Sequence, residues 1–427
     1  MNKTIGSLSA PGFQVRGPTG HLVRNLLLAG SCLAFGCTAT PALAQKNGDQ
    51  GPIKIGVIQS LSGPFAPIGA LGVKGAQLAA DGQKVLGRDV KLIVEDDNSN
   101  GKVGAQKANT LINSDHVVAM EGMAASGIGL AVSNVASAQK IPLVLAGPSA
   151  SELTGAQCRY STFRAGKPPT YPMVHAVVPY VLQHDTQKRW YFIAYDYSWG
   201  HEGVSMTSAL LKDAGAKVVG TDLVPVGTKD YSAFLLKVRQ AKPSVLFVML
   251  GGTDMAALIN QFTQFGLQKT TTLSGGVMDN SVAWQVGENM TGVWPVPFYY
   301  KDPAVKEFTT AYMKKYDSVP GNQSWQDYIS VKSIMAAISS AGTTEFGPVV
   351  KALESMKIDV KGMQGYYRSF DHQLVQPIYV IKTKTVEGLK KDKWDWGDIV
   401  AKVPADSADY DKLFGTEAIV GCHFPDK

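Results

Sequence analysis

Ala125-Ser126-Gly127 and, one helical segment later, Ala146-Gly147-Pro148-Ser149-Ala150 decide the reading of this chain. Each run follows directly on an apolar stretch, residues 117–120 and 141–145, so both lie where parallel strands end and loops begin. Open α/β sheets take their ligands outside the carboxyl ends of the strands. Ser126 opens the next helical segment, whose N-terminus favours an anion, and the small neighbours leave backbone N–H groups within a ligand's reach. The two runs together describe a cradle for a small carboxylate. Taken singly, each serine is equally a helix cap.

Outward from the cradle the chain alternates strand and helix. Apolar runs at 53–58 and 90–94 precede segments with helical spacing at 69–80 and 103–112, and the strands at 117–120 and 142–145 complete a parallel sheet built by βαβ steps. The pattern then restarts. Strands are expected at 189–195, 217–223, 244–250 and 271–274, with helices at 202–213, 231–240 and 255–265. Between the two series lies Gly166-Lys167-Pro168-Pro169-Thr170, a Pro-rich joint where few contacts need cross. Helices at 304–316 and 323–340 and a strand at 377–382 return to finish the two units. The expected fold is α/β, two Rossmann-like lobes with parallel sheets joined by a hinge. Residues 52–168 plus 300–372 form the first lobe, and 169–299 plus 373–427 the second.

Residues 1–44 carry Lys3, Arg16 and Arg24 but no acid, then an apolar core at 26–35, then Ala42-Leu43-Ala44 before Gln45. This is the order of a secretory signal peptide cleaved after Ala44. Cys32 and Cys37 do not make a lipoprotein site, because Ala29 and Ala34 stand where Leu or Val is preferred. No later run approaches the roughly 20 apolar residues of a membrane helix. A formal net charge of +6, half of it from those three basic residues, is too mild for nucleic acid. Lys390-Lys391-Asp392-Lys393 reads as a solvated turn. Cys158 and Cys422 remain after cleavage; in an oxidising compartment they form one disulfide pinning the tail from 395 onward to the first lobe, or two separate buried thiols.

Several patterns that suggest enzymes do not hold together. Gly69, Gly72 and Gly75 follow a strand, but ten residues separate the strand from the first glycine, whereas a dinucleotide fingerprint needs a tight turn. Tyr328 and Lys332 give a YxxxK pattern some 200 residues from the candidate serine. No nucleophile, base and orienting group come together, and the histidines lack metal spacing.

The chain resembles the periplasmic solute-binding proteins of ABC importers, in the branch serving branched-chain amino acids, amides and related molecules. The similarity spans roughly residues 52–385. It rests on Ile53-Lys54-Ile55-Gly56-Val57 with Leu61-Ser62-Gly63-Pro64, Glu95-Asp96-Asp97 before the Ala105/Ala108/Leu111 helix, and Ile141-Pro142 through Glu152-Leu153-Thr154. Phe163-Arg164, Tyr195-Asp196 before Gly200-His201-Glu202-Gly203, Asp230-Tyr231-Ser232 and Gly266-Leu267 follow in the same order. The resemblance implies a type I periplasmic binding protein, located in the periplasm, acting as a monomer, with an ABC permease and ATPase as partners, no cofactor and no catalysis.

By an ungapped match from Ala124 to Thr154, the family's carboxylate-binding positions fall on Ser126, Gly147 and Ser149, with Ala125 beside them. The acid that pairs with an amino acid's ammonium falls on Val277; a slip of two residues would put Asp279 there instead. A buried ammonium without a partner is heavily penalised. Tyr197 and Trp199 occupy the loop where the family sets an aromatic over the ligand, and Gly251-Gly252 widens the pocket. Trp199 is equally explained as packing under its loop. Ile68 and Gln323 match further cleft positions, although a helix start also explains Gln323. The expected ligand is a small carboxylate, aromatic or hydrophobic. The alternatives are an amino acid, amide or urea-type ligand, or a sensory rather than a transport role.

Overall fold

A computed structural model describes residues 51–360, 363–425 and 427. The expected signal peptide, residues 1–44, lies outside them.

Two sheets organise the molecule. The first contains β1 (Ile53–Gln59), β2 (Lys84–Val85), β3 (Arg88–Asp96), β4 (Ala119–Gly122), β5 (Leu143–Leu145) and β6 (Thr162–Arg164), in spatial order β2-β3-β1-β4-β5-β6. Apart from the short β2 edge its pairs are parallel, with Ile55 opposite Leu92 on one side and Ala119 on the other. Ile53, Ile55, Val57 and Ile58 are fully buried, as befits a strand covered on both faces. The strand order reverses between β1 and β4, which opens a crevice at their carboxyl ends.

Helices α1 (Ala66–Ala80), α2 (Gly101–Asn113) and α3 (Ser126–Ala138) make the crossovers of this sheet; α4 (Thr170–His184) follows it. The second sheet begins with β7 (Arg189–Tyr195), β8 (Lys217–Val224), β9 (Val245–Met249), β10 (Thr272–Gly275) and β11 (Val293–Val296). Its crossover helices are α5 (Ser198–Asp213), α6 (Ser232–Ala241), α7 (Gly252–Gln264) and the short α8 (Asn280–Val286). Its order reverses between β7 and β9, so a second crevice faces the first.

The chain then returns. Helices α9 (Lys306–Tyr316), α10 (Asn322–Ala341) and α11 (Phe346–Glu354) pack on the first lobe, and α10 lies against α1. Gly72 and Gly75 serve that packing, a Cβ at Gly75 standing 1.9 Å from the Ser324 carbonyl oxygen, while a Cβ at Gly69 would stand 2.0 Å from Ser60 O. All three lie within α1 and serve close backbone packing rather than a phosphate loop. Strands β12 (Lys357–Val360), β13 (Met363–Tyr367) and β14 (Leu374–Val375) form a small antiparallel sheet that the sequence reading did not anticipate. Strand β15 (Ile378–Thr383) joins the second sheet antiparallel beside β11, and β16 (Gly397–Val403) antiparallel beside β15, so that sheet is mixed rather than parallel.

The joint between the two series, expected to need few contacts, makes many. Gly166 through Thr170 is buried throughout and tied down: the Lys167 N–H donates to Ala146 O at 2.7 Å, Gln376 Nε2 to Gly166 O at 2.7 Å, and Ser149 Oγ to Pro168 O at 2.6 Å. Prolines here stiffen a contact instead of marking a linker. The tail, expected to lack elements, contains β16 and is fastened by the Cys158–Cys422 disulfide. Beyond it Phe424 packs edge-on against Tyr160, with ring centroids 5.6 Å apart.

Candidate functional site: the cleft between the lobes

The two crevices meet in one narrow cavity. Its volume is about 20 Å³, so the lobes stand closed upon each other. Loops at the carboxyl ends of β1, β4, β5 and β6 supply Phe65 and Ile68, Ala124 to Ser126, Gly147 with Ser149, and Lys167. The second lobe supplies Tyr197 and Trp199 after β7, Gly251 after β9, and Val277 and Asp279 after β10.

Eight of the ten expected ligand positions therefore line a single cavity: Ile68, Ala125, Ser126, Gly147, Ser149, Tyr197, Trp199 and Val277. Gly252 and Gln323 do not. Gly252 is replaced on the wall by Gly251, and sits instead where a Cβ would be 2.2 Å from Pro64 O. Gln323 lies one layer back, its Oε1 only 2.8 Å from where a Gly147 Cβ would stand. Gly147 is thus needed for close packing, since that Cβ would also meet Met123 O at 2.5 Å.

The serines are organised differently from the expectation. Ser126 follows the extended Ala125, which is the N-cap of α3, and its Oγ accepts the backbone N–H groups of Ser149 at 3.1 Å and Ala150 at 3.0 Å. Ser126 thus clips the two cradle loops together, with its own hydroxyl proton left to donate. Ser149 spends its hydroxyl on Pro168 O, so what it offers the cavity is shape and lone pairs rather than a donor. Behind them Arg164, fully buried, donates to the carbonyls of Pro148 at 3.3 Å and Ala150 at 2.9 Å. Burial pushes its guanidinium down to about 10 despite nearby Glu202 and Asp371. Met123, which leads into the cradle, holds a left-handed φ of 63°, a strained conformation for a residue with a side chain.

One wall is aromatic. Tyr195 and Tyr197 stack with centroids 5.5 Å apart, Trp199 lies 6.4 Å from Tyr197, and Phe65 of the first lobe meets Tyr195 edge-on at 6.4 Å. Trp199 both packs and lines, being 6% exposed.

Asp279, the alternative offered to Val277, does line the cleft; the cation beside it, Lys167, is what the sequence reading missed. Lys167 Nζ reaches Asp279 Oδ1 at 3.3 Å, and each side chain is only 5% exposed. Beneath the cradle, Asp327 accepts from Gln59 Nε2 at 2.5 Å and from Gln323 Nε2 at 2.6 Å. Burial pushes Asp327 up to about 7, moderated by those two bonds and by the charge of Lys167. Neighbouring Glu121, entirely buried, is raised well above the carboxylate range by burial and by Asp327.

A wider cavity of about 500 Å³ lies on the flank, between the 151–156 turn, α5 and the tail. Its walls are mostly apolar, and its cation, Arg368, is consumed by Asp371 and the Gly415 carbonyl. None of the ten expected ligand positions lines it. No cluster of three or more potential metal-ligating His, Cys, Asp or Glu side chains occurs among the described residues, and no described helix is long and apolar enough to cross a membrane.

This arrangement of two α/β lobes closed over a switch-point cleft defines a solute-binding receptor. The chain belongs to the periplasmic binding protein family, which it matches over residues 52–390. It is 25% identical over 373 residues to Leu/Ile/Val-binding protein homolog 7 of Brucella abortus, covering 81% of this chain and 90% of that protein. A crystal structure of a periplasmic binding protein from Burkholderia mallei superposes with a TM-score of 0.80 at 26% identity, covering 88% of this chain and 99% of that one. A solute-binding protein of an ABC transporter from R. palustris, solved in complex with benzoate, has the same fold with a TM-score of 0.76 at 18% identity, covering 88% and 100%. The protein is a periplasmic binding protein and not an enzyme. Its family places it in the periplasm.

Proposed function

We propose that this receptor captures a small carboxylate, aromatic or hydrophobic, from the periplasm and presents it to the permease and ATPase of an ABC importer. The observation that carries this reading is the composition of the cleft: an aromatic wall of Phe65, Tyr197 and Trp199, apolar Ile68 and Val277, and an anion-favouring end made by the α3 N-terminus, Ser126 and Lys167. Its one acid, Asp279, is already engaged by Lys167. An α-ammonium would have to draw Asp279 away from that cation. The benzoate complex of the R. palustris protein lends the reading support, because the fold is shared.

Asp279 also gives the amino acid reading a specific footing, in line with the naming of the Brucella relative. A thermal-shift screen over carboxylic acids and amino acids separates the two. A ligand present at 100 times its dissociation constant adds about 2.7 kcal/mol to stability. Stabilisation by aryl carboxylates but not by leucine is the expected result, and the reverse pattern would assign the protein to amino acids.

A further inference from the structure

We propose that Lys167 selects the ligand by charge: the ligand's carboxylate takes the place of Asp279 on the Lys167 ammonium, and Asp279 withdraws to cap α8. This rests on the reading of the cleft as a carboxylate site.

Lys167 is held for such a role. It stands at the end of the β6 loop, its own N–H bound to Ala146 O at 2.7 Å, followed by two prolines whose fixed φ leaves the backbone little freedom. Its side chain crosses from the first lobe to Asp279 of the second, so the pair is also a bridge between lobes. Both residues line the cavity. The acids that act on Lys167 are Asp279 on the cavity side and Asp327 behind, the latter kept in place by Gln59 and Gln323. Exchange of one carboxylate for another leaves Lys167 compensated throughout, which matters because an unpaired buried cation is heavily penalised.

Asp279 has somewhere to go. It occupies the N-cap position of α8 with extended backbone, φ −87° and ψ 133°, yet its side chain makes no cap hydrogen bond. Aspartate is among the preferred N-cap residues because its carboxylate accepts from the first free N–H groups of the helix. Here Lys167 has drawn it off that duty. The two positions of Asp279, on the lysine or on the helix, give the cleft a counter-ion that yields to a monoanion. A zwitterion would instead divide the pair, its carboxylate on Lys167 and its ammonium on Asp279, so only a monoanion sends Asp279 to the helix.

Calorimetric titration with benzoate and with leucine tests this on the wild-type receptor, Lys167→Met, Lys167→Arg and Asp279→Asn. Removing a hydrogen-bonded charge from a bound carboxylate should weaken benzoate at least tenfold in Lys167→Met, with part of the affinity kept in Lys167→Arg. Asp279→Asn should bind benzoate several-fold more tightly than wild type, because the competing carboxylate is gone. Benzoate affinity unchanged in a folded Lys167→Met, or lost in Asp279→Asn, overturns the role of Lys167 while leaving the carboxylate reading intact. A wild-type protein that binds leucine and not benzoate, or neither, overturns the carboxylate reading itself and this inference with it.

Discussion

The backbone N–H of Thr253, in the second lobe, donates to the carbonyl of Pro64, in the first, at 3.0 Å. This bond exists only because the residue before Thr253 is glycine. Gly252 has a φ of +57°, and a Cβ there would stand 2.2 Å from the same Pro64 oxygen, a distance no real structure tolerates. The closed arrangement is therefore written into the start of α7. Gly252→Ala is expected to hold the lobes apart: solution scattering should give a larger radius of gyration with saturating ligand than the wild type shows, and affinity should fall by tenfold or more. A variant as compact as wild type would remove this contact from the account of closure.

Ser126→Ala should lose stability as well as affinity. Its Oγ is the acceptor for the Ser149 and Ala150 N–H groups, both buried, and each unsatisfied donor costs about 1–3 kcal/mol. Ser149→Ala frees only the Pro168 carbonyl and should be milder. Thermal melts of the two unliganded variants, compared with their calorimetric affinities, check the order. Equal melting points for wild type and Ser126→Ala would contradict the clip between the cradle loops.

The buried carboxyls set a pH dependence. Burial raises Asp97 to about 6 and Asp327 to about 7, and raises Glu121 further. A carboxyl with a folded-state pKa above its unfolded value binds its proton more tightly in the folded protein. Its contribution is thus fully present below the unfolded pKa, near 4, and is lost as pH rises through the folded value. Unliganded stability should fall between pH 4.5 and pH 7, by about 1.4 kcal/mol for each unit of raised pKa crossed. Asp327→Asn should flatten that slope. Denaturant midpoints that rise steadily over the same interval would contradict the assignment.

The Cys158–Cys422 bridge closes a loop across a sequence separation of 264 and is anchored just beyond the 151–154 turn that follows the cradle. Reduction, or Cys422→Ser, is expected to cost about 2–5 kcal/mol and to open the tail beyond β16 to proteolysis. Limited digestion of the oxidised and reduced protein reads this directly; identical cleavage patterns would mean the tail is held by Phe424 and its neighbours alone.

Most of the fold was legible because parallel strands covered on both faces are short apolar runs bounded by turns. The strand at 189–195 coincides with β7, and most others fall within two residues of their observed ends. β16 escaped notice because it is an edge strand with exposed Ile399 and Val400 and a register shift opposite Ile381, which breaks the alternation. In the site, the cradle could be read because Ser126, Gly147 and Ser149 follow their strands directly. Lys167 could not be. In a Gly-Pro segment a lysine reads as solvated, and its burial arises from an aspartate 112 residues away that only the closure of the two lobes brings near. The neighbouring prolines, read as a joint that few contacts need cross, were the available signal of a rigid mount. The one-residue difference between Gly252 and Gly251 has the same origin, since which of two adjacent glycines lines the cleft depends on where α7 begins.

The central claim is that the cleft is built for a carboxylate that carries no neighbouring ammonium. Isothermal titration of the wild-type receptor with benzoate, phenylacetate, phenylalanine and leucine under one set of conditions tests it most directly. The account predicts that an aryl acid binds at least tenfold more tightly than its α-amino counterpart, so that phenylacetate exceeds phenylalanine. Leucine or phenylalanine binding in the micromolar range or tighter, with neither aryl acid bound, would contradict it.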